Sequence, residues 1–379
     1  MRFKNPYAFY TIFSMNSISK KGLALFFSLF SLQLSTNAQH AFSGLEQLFT
    51  EPKSYTLFQA LNPLTIDGSL DEKSWTDAPW TDYFIDIEGE SKPMPSYKTR
   101  VKMIWDDQFL YIAAQMEEPH IWANPIPKGD IIFKDNVFKI FIDPDNNMND
   151  DFEIQINPLN KMLFLVMDKP YRDGGKPVSG WEPTGYQSAV KISGTLNNSQ
   201  DTDKEWIAEI ALPLAALGLK PQKQNAAFRI NFLRTGFDFI VKNGLYSKAL
   251  DSNGKSFAPH YASWTSQGII NMHYPERWAY GLFSKAAPNS VASPFILPYS
   301  EKQRKYLWLA YYRQKEFYKK TKQFAGTLQE LNVPSNDIVI DGKKNKMVLE
   351  KSSKQFMVSI SQEDGTNSIS IDQDGLIIY

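Results

Sequence analysis

The sequence predicts a mainly β protein: a two-sheet antiparallel β-sandwich followed by a small C-terminal α+β unit, a long helix on a short sheet. Apolar and polar residues alternate in many short runs between residues 98 and 232, which is the two-residue period of a half-buried strand. The runs are too closely spaced for crossover helices, so neighbouring strands should be antiparallel. The 22 prolines and 20 glycines supply the turn residues that frequent strand reversals need.

Composition excludes several classes of function. The chain of 379 residues carries 41 basic and 41 acidic residues, so no net charge attracts it to nucleic acid or to anionic lipid. Apolar residues make up 42% of the chain, which is enough for a substantial core. The chain has no cysteine, so its fold is expected to depend on its core without disulfides, and no cysteine is available for lipidation.

Residues 1–38 are predicted to be a signal peptide. A pair of lysines precedes an apolar run at residues 23–34, and the small-residue stretch at residues 35–38 suits a signal peptidase. The run is too short to span a hydrocarbon core of ~30 Å, so no membrane span is expected after cleavage. The mature protein is therefore expected to be periplasmic or secreted. Met15 is a second candidate start, and a buried apolar helix is the alternative interpretation of the run.

The strand pattern occupies residues 59–285, after a mixed lead-in at residues 39–58. Residues 101–105 alternate in polarity and an apolar run at residues 109–116 follows a short polar turn, which predicts a hairpin. The alternation then continues through further runs. Their apolar members are Phe138, Ile140, Ile142, Phe152, Ile154, Ile156, Met162, Phe164, Val166, Trp206, Ala208, Ile210, Phe228, Ile230 and Phe232.

A linker rich in Pro, Ser and Ala at residues 286–300 precedes the C-terminal unit, residues 301–379. Apolar and aromatic residues recur at helical spacing between residues 302 and 331, which predicts one long amphipathic helix. Short apolar runs follow, and three Asp-Gly pairs between them predict tight turns. Because such a small sheet is not stable alone, the helix is expected to pack its aromatic face on it.

Several short segments together suggest a family. In chain order they are Ile66-Asp67-Gly68-Ser69-Leu70-Asp71-Glu72 with Trp75, Trp105-Asp106-Asp107 with Leu110-Tyr111-Ile112, Asp135-Asn136 with Phe141-Ile142-Asp143-Pro144-Asp145, Asn157-Pro158, Trp206-Ile207-Ala208-Glu209-Ile210 with Leu212-Pro213, Arg229-Ile230-Asn231-Phe232 with Arg234, and Asn271-Met272-His273 with Pro275-Glu276-Arg277-Trp278. In this order the segments resemble the family 9 carbohydrate-binding modules, over residues 66–283. The resemblance implies a β-sandwich that holds a sugar between two tryptophans, with structural calcium nearby.

The resemblance also implies which residues bind an oligo- or polysaccharide. Sugar rings stack on aromatic planes and their hydroxyls need paired donors and acceptors. By the resemblance, the predicted sugar-binding positions are Lys139, Glu153, Gln155 and Asn231. Arg234, Trp278 and Trp122 are further predicted sugar-binding residues, the two tryptophans because they lie in or beside loop-like stretches. Where the family places its two stacking tryptophans, this chain has Ile132-Phe133 and Met272, so a stacking platform would have to be built from other rings.

The tryptophans fall into two groups. Those within strand or strand-entry patterns are predicted to be core residues, namely Trp75, Trp105 and Trp206. Those in or beside loop-like stretches have two interpretations, a platform for a ligand or packing in the core. They are Trp122, Trp181, Trp264 and Trp278.

The acidic stretch at residues 143–151 offers the oxygen ligands that calcium prefers, with Asp143 and Asp145 as candidate ligands of a structural ion. It is not an EF-hand loop, because Met148 stands where that loop needs glycine and Ile154 where it needs glutamate. An ordinary hairpin turn is the favoured interpretation. The four histidines show no metal-binding spacing, so zinc is not predicted.

The sequence therefore predicts an exported, non-catalytic carbohydrate-binding protein that serves polysaccharide recognition or breakdown, with polysaccharide-degrading enzymes as candidate partners. It contains no nucleophile-elbow, nucleotide-loop or zinc-protease motif. One alternative is a structural or interaction module whose sugar site is degenerate. Another is an activity associated with glycoside hydrolysis, since sequence alone cannot place two carboxylates across a bond.

Overall fold

Strands dominate the computed structural model of the protein, which describes residues 41–125, 127, 131–178, 180–221, 227–333 and 336–379. The predicted signal peptide lies outside the described residues. Residues 44–379 form a single unit. Within the described residues, no helix is long and apolar enough to cross a membrane.

The alternating runs of the sequence form strands close to where they are predicted. The strands are β1 (Ser54–Gln59), β2 (Ile85–Asp86), β3 (Thr99–Trp105), β4 (Phe109–Glu117), β5 (Val137–Asp143), β6 (Asp151–Ile156), β7 (Met162–Met167), β8 (Pro177–Val178), β9 (Gln187–Ser193), β10 (Glu205–Pro213), β11 (Ala227–Gly236), β12 (Phe239–Lys242), β13 (Leu245–Lys248), β14 (His260–Ser263), β15 (Ala279–Ser284), β16 (Asp337–Ile340), β17 (Lys343–Lys351), β18 (Phe356–Gln362), β19 (Ile369–Asp372) and β20 (Ile377–Ile378). The α-helices are α1 (Lys73–Asp77) and α2 (Tyr299–Thr321), and short 3-10 turns cover Glu46–Leu48, Tyr171–Asp173 and Pro275–Arg277.

Thirteen of these strands form one hydrogen-bonded sheet, in the order β8, β7, β6, β5, β11, β15, β1, β3, β4, β10 and β9, with β14 pairing β11 and β2. Strand β1 joins the two halves, because it runs parallel to β15 through residues 54–58 and parallel to β3 through Phe58 and Gln59. The other pairs described in this sheet are antiparallel. The sandwich therefore begins at residue 54, inside the predicted lead-in of residues 39–58.

Side chains from both halves of the sheet meet in one core, which gives the sheet the two layers of a sandwich. Ile112 of β4 and Ile140 of β5 belong to the same buried cluster, together with Trp105, Trp206 and Phe232. Burial of this apolar surface supplies the main stabilisation of the fold. The prediction of a largely antiparallel two-sheet sandwich is confirmed.

Helix α1 is held against the sandwich by hydrogen bonds between residues of the segments that resemble the family. The Glu209 carboxylate on β10 accepts from Trp75 Nε1 at 2.8 Å and from the backbone N–H groups of Gly68 and Asp67 at 2.8 and 3.1 Å. Gly68 has a φ of +85°, and a Cβ there would lie 2.9 Å from Lys191 Cβ. These segments are therefore signatures of the fold, and Trp75 is a core residue as predicted.

The C-terminal unit is a helix on a five-stranded antiparallel sheet, in the order β16 to β20. The prediction of a helix continuing to residue 331 is wrong, because α2 ends at Thr321 and Lys322 adopts a left-handed conformation with φ of +60°. The Gln314 side chain binds the backbone of Ala325, at 2.9 and 3.0 Å, and folds the following segment back. The predicted packing on the sheet is confirmed by the aromatic pair between Tyr311 and Phe356, 6.4 Å apart.

Candidate functional site

The polar strand residues predicted as sugar ligands share the outer face of one layer. Lys139, Glu153, Gln155 and Asn231 alternate with core residues on β5, β6 and β11 and therefore point away from the core. In the register of the sheet Lys139 lies directly opposite Gln155, and Asn231 lies opposite Phe141. The two-residue period thus brings residues from separate segments onto one surface.

Glu153 is the centre of a cluster of charged and polar side chains. Its Oε1 atom accepts from Lys139 Nζ at 2.9 Å and from Gln155 Nε2 at 2.6 Å, and its Oε2 atom lies 3.4 Å from His273 Nε2. Burial alone would raise the pKa of Glu153, but the charge of Lys139 and the hydrogen bond and charge of His273 lower that pKa to about 2. The carboxylate is therefore ionised and fixes three neighbouring side chains.

Within the part of the chain that the structure describes, two polar atoms of this cluster are buried without a hydrogen-bond partner. They are Gln155 Oε1 and His273 Nδ1, on residues that are 1% and 8% exposed. Leaving a buried polar atom unpaired costs about 1–3 kcal/mol. A ligand hydroxyl that reached these atoms would recover that free energy. Sequence reasoning missed His273, because it lies in a loop and its partner Glu153 is far away in the chain.

Exposed aromatic rings lie on two sides of the cluster. The Phe133 ring is 41% exposed and its centroid lies 5.3 Å from Lys139 Nζ. The Tyr171 ring is 46% exposed and lies edge-on to His273, with centroids 4.6 Å apart. Phe133 occupies the place where the resemblance puts a stacking tryptophan, whereas Tyr171 sits in a 3-10 turn that no pattern in the sequence marks. Together the two rings offer apolar planes beside the polar cluster.

The Asn231 amide is already occupied by the protein. Its Nδ2 atom donates to the Thr265 carbonyl at 3.2 Å, and its Oδ1 atom accepts from the backbone N–H groups of Thr265 and Phe232 at 3.1 and 2.9 Å. Asn231 therefore holds the loop after β14 over the outer face. A direct contact between Asn231 and a sugar stays a prediction.

Trp278 and Trp122, predicted as sugar-binding residues, are core residues in the structure. Trp278 is fully buried, donates from Nε1 to the Met272 carbonyl at 3.0 Å and packs against Phe141. Trp122 is 1% exposed and stacks on Tyr246, with centroids 6.2 Å apart. Neither ring has a face open to solvent, so the core interpretation, which the sequence leaves open, is the one observed.

Arg234 does not join the outer-face cluster. It points to the other side of β11, where its guanidinium donates to Glu118 Oε2 at 2.6 Å and to Thr99 Oγ1 at 3.2 Å. The reason is the period of the strand, since Arg234 is an odd number of residues from Asn231. Arg234 instead lines a cavity at one end of the sandwich.

Asp143 organises the turn after β5. Its Oδ1 atom accepts from the backbone N–H of Asn146 at 2.8 Å, and its Oδ2 atom accepts from that of Met148 at 3.1 Å. Asp145 accepts from the backbone N–H of Asn147 at 3.2 Å. These are the turn contacts that the sequence favours over a calcium site.

Asp151 stands at the start of β6, and both of its carboxylate oxygens are buried without a hydrogen-bond partner among the described residues. Burial, together with the charge of Asp143, raises the pKa of Asp151 well above its usual value, and burial raises the pKa of Asp143 to about 7. The charges of Arg229 and Arg304 lower the pKa of Asp143 but do not offset burial and the charge of Asp145, which raise it. Among the described residues, no group of three or more His, Cys, Asp or Glu side chains could hold a metal ion. Calcium binding by Asp143 and Asp145 stays a prediction.

Tyr171 is held in place by its neighbour Arg172. The Arg172 guanidinium donates to both carboxylate oxygens of Glu276, at 2.8 and 3.1 Å, and lies 4.3 Å from the Tyr274 ring centroid. Glu276 follows His273 by three residues. One bidentate ion pair therefore ties the segment that carries Tyr171 to the segment that carries His273.

Helix α2 supports this ion pair from outside the sandwich. Arg172 Nε donates to the Tyr311 hydroxyl at 3.2 Å, and that hydroxyl donates to Asp173 Oδ1 at 2.6 Å. Lys315 Nζ lies 2.6 Å from the same oxygen. The C-terminal unit therefore fixes the turn on which Tyr171 is carried.

Comparison with known proteins agrees with the resemblance noted in the sequence. Residues 66–245 match the family described as carbohydrate family 9 binding domain-like. Among solved structures, the chain is similar to a family 9 carbohydrate-binding module from Caldicellulosiruptor kristjanssonii, which was solved in complex with cellotriose and in complex with glucose. For both complexes the sequence identity is 14% and the TM-score is 0.39, and the match covers 64% of this chain and 100% of the module. It is also similar to a candidate carbohydrate-binding protein from Bacteroides uniformis, with 14% identity, coverage of 62% and 100%, and a TM-score of 0.41. No curated protein matches the sequence. The match to the carbohydrate family 9 binding domain-like family therefore covers residues 66–245 of this chain.

Proposed function

We propose that this chain is an exported, non-catalytic carbohydrate-binding protein that holds a saccharide on the outer face of β5 and β6. The observation that carries the proposal is the pair of buried, unpartnered atoms, Gln155 Oε1 and His273 Nδ1, beside the exposed rings of Phe133 and Tyr171. This combination of apolar planes and unpaired polar atoms matches the two kinds of surface of a pyranose ring.

The hydrogen-bond roles in the cluster follow from Glu153. Its ionised carboxylate lies 3.4 Å from His273 Nε2, which leaves Nδ1 as the ring atom without a partner among the described residues. Gln155 Oε1 is an acceptor, since its Nε2 atom donates to Glu153. A sugar hydroxyl that reached either atom would hydrogen-bond to it, because a hydroxyl both donates and accepts, and Lys139 Nζ would donate to another oxygen of the ligand.

The same geometry supports a binding role over catalysis. Hydrolysis of a glycosidic bond needs a carboxylic acid whose pKa is raised so that it carries a proton near neutral pH. Glu153 is the acidic residue of the cluster, and its pKa is lowered to about 2. The pKa of Glu209 is raised by burial to about 7, but this carboxylate is occupied by Trp75 and Gly68.

Export and partnership with polysaccharide-degrading enzymes rest on the sequence. The apolar run and the small-residue stretch within residues 1–38 support a signal peptide, and a saccharide-binding protein outside the cytoplasm would act on polysaccharide. Cell fractionation with an antibody to the C-terminal unit tests this part. Detection in the cytoplasm at full length would contradict export.

Calorimetry with a panel of neutral and acidic mono- and oligosaccharides tests the binding site. Replacing Gln155 by leucine should weaken binding roughly tenfold, because about 1.4 kcal/mol of hydrogen bonding is lost. The matched control is Gln187→Leu, since Gln187 is an exposed glutamine on β9. Absence of binding to every sugar would favour the alternative of an interaction module, which the lack of tryptophan at Phe133 and Met272 also suggests.

A further inference from the structure

A second cavity opens at one end of the sandwich, away from the outer-face cluster. Its volume is about 520 Å³, within the range of small-molecule sites, and it lies where β11 ends and β14 begins, beside the segment that contains Tyr97. Arg234 lines it from β11, and the backbone partner of Arg234 is Phe138, the residue before Lys139. Since neighbouring strand residues point to opposite faces, Arg234 and Lys139 serve separate surfaces.

Several aromatic rings line this cavity. Tyr97 is 40% exposed, and Tyr261 and Phe237 are half-buried, so each presents part of a ring to the cavity. The Tyr97 centroid lies 5.8 Å from the Arg234 guanidinium. Arg234 is itself fixed by its bonds to Glu118 and Thr99, so this ring has a rigid support.

The charges of the cavity define which ligands fit. Glu118 and Arg234 neutralise one another through their 2.6 Å contact. Asp86 and Asp238 remain, and Asp238 is paired at 3.0 Å with the exposed ring of His260. Asp86 uses one carboxylate oxygen to accept from the Glu88 backbone at 2.8 Å. The remaining acidic groups repel an anion and attract an ammonium group.

We propose that this end cavity is a second saccharide site, selective for a neutral or amine-bearing pyranose over an acidic one. Tyr97 supplies the stacking plane, since Lys248 Nζ, 3.4 Å from the Phe237 centroid, covers a face of the Phe237 ring. Asp86 and Asp238 accept from hydroxyl or ammonium groups of the sugar. The chain would then contact two sugar units at once, which raises its effective affinity for a polysaccharide when both sites reach one ligand.

Calorimetry on the Gln155→Leu variant tests the proposal, because that variant weakens the outer-face site and leaves the cavity intact. Glucosamine, glucose and glucuronate serve as probes, and the predicted order of affinity is glucosamine, then glucose, then glucuronate. Adding Tyr97→Ala should weaken glucosamine binding roughly tenfold, in line with the loss of a stacking ring. The matched control is Tyr83→Ala, an exposed tyrosine outside the cavity.

A second variant probes the charge without removing a ring. Asp86→Asn should abolish the preference for glucosamine over glucose and leave the affinity for glucose nearly unchanged. The proposal is wrong if neither Tyr97→Ala nor Asp86→Asn changes binding, or if glucuronate binds best. If binding is lost in Gln155→Leu and unaffected by Tyr97→Ala, the saccharide binds at the outer-face site and not in the end cavity. The reverse result supports the cavity and contradicts the outer-face site.

Discussion

The outer face of β5, β6 and β11 has two halves that differ in what covers them. In one half Lys139, Glu153 and Gln155 lie beside exposed rings, and the buried Gln155 Oε1 atom has no hydrogen-bond partner among the described residues. In the other half the fully buried Arg229 is paired with Glu301 of helix α2 at 2.6 Å. The strand period puts polar residues on both halves alike. Whether such a face becomes a binding site or an internal ion pair depends on whether another part of the chain covers it.

The covered half should be the more sensitive to mutation. Glu301→Ala would leave the Arg229 guanidinium buried without its counter-ion, and loss of one partner of a buried pair destabilises by about 3–5 kcal/mol. Urea unfolding measures the change in the free energy of unfolding. The control is Glu316→Ala, since the Glu316 side chain is 43% exposed in its pair with Arg313, and it should change that free energy by less than about 0.5 kcal/mol. Equal effects of the two variants would contradict the account of the covered half.

The two halves are coupled through Arg172. Arg172→Met should weaken saccharide binding roughly tenfold, because it releases the turn of Tyr171 from the segment of His273. Calorimetry measures the affinity and circular dichroism verifies the fold. Restoring the ion pair with Arg172→Lys should recover part of the affinity, since lysine keeps the charge and loses the bidentate geometry. An unchanged affinity in Arg172→Met would show that the C-terminal unit does not support the site.

Asp151 is a buried carboxylic acid whose protonation state should affect the stability of the protein. Its pKa is raised in the folded protein, so its contribution to stability is present below the ordinary pKa of about 4 and is lost as the pH rises from there through the folded-state pKa. Asp151→Asn should therefore increase the free energy of unfolding at pH 8 by about 1 kcal/mol and change it little at pH 4. Thermal unfolding across this pH range measures both. Destabilisation at pH 8, with a parallel effect of a calcium chelator on the wild type, would instead indicate a bound calcium ion.

The smallest expected effect comes from the open half. Phe133→Trp would place a larger ring where the resemblance puts a tryptophan, and a better stacking plane contributes about 0.5–1 kcal/mol. Calorimetry should show an affinity for saccharide a few-fold higher than that of the wild type. A loss of affinity would mean that Phe133 does not stack on the ligand.

The outer-face residues were predictable because their positions follow from the strand period. Alternation alone places Lys139, Glu153, Gln155 and Asn231 on one face, and the structure has them there. The same rule, applied to Arg234, would have assigned it to the opposite side. The family resemblance grouped it with Asn231 because the two are close in sequence.

The rest of the candidate site depends on contacts that no local pattern encodes. His273 and Tyr171 lie in a loop and a 3-10 turn, and their positions are set by Glu153 and by Arg172 with Glu276. The burial of Trp278 likewise follows from the loop that Asn231 anchors. The predicted end of the helix lies ten residues too far along the chain, because the apolar spacing continues beyond Thr321, whereas the chain turns at Lys322.

The most direct test of the outer-face site is heteronuclear NMR of the side-chain amide of Gln155 and the ring of His273 during titration with a bound saccharide. If the sugar occupies the cluster, both resonances shift together with those of the Tyr171 ring, and the shifts saturate at the affinity found by calorimetry. Saturable binding that leaves the resonances of Gln155 and His273 unshifted would contradict the account, because the ligand would then bind without contacting the two unpartnered atoms.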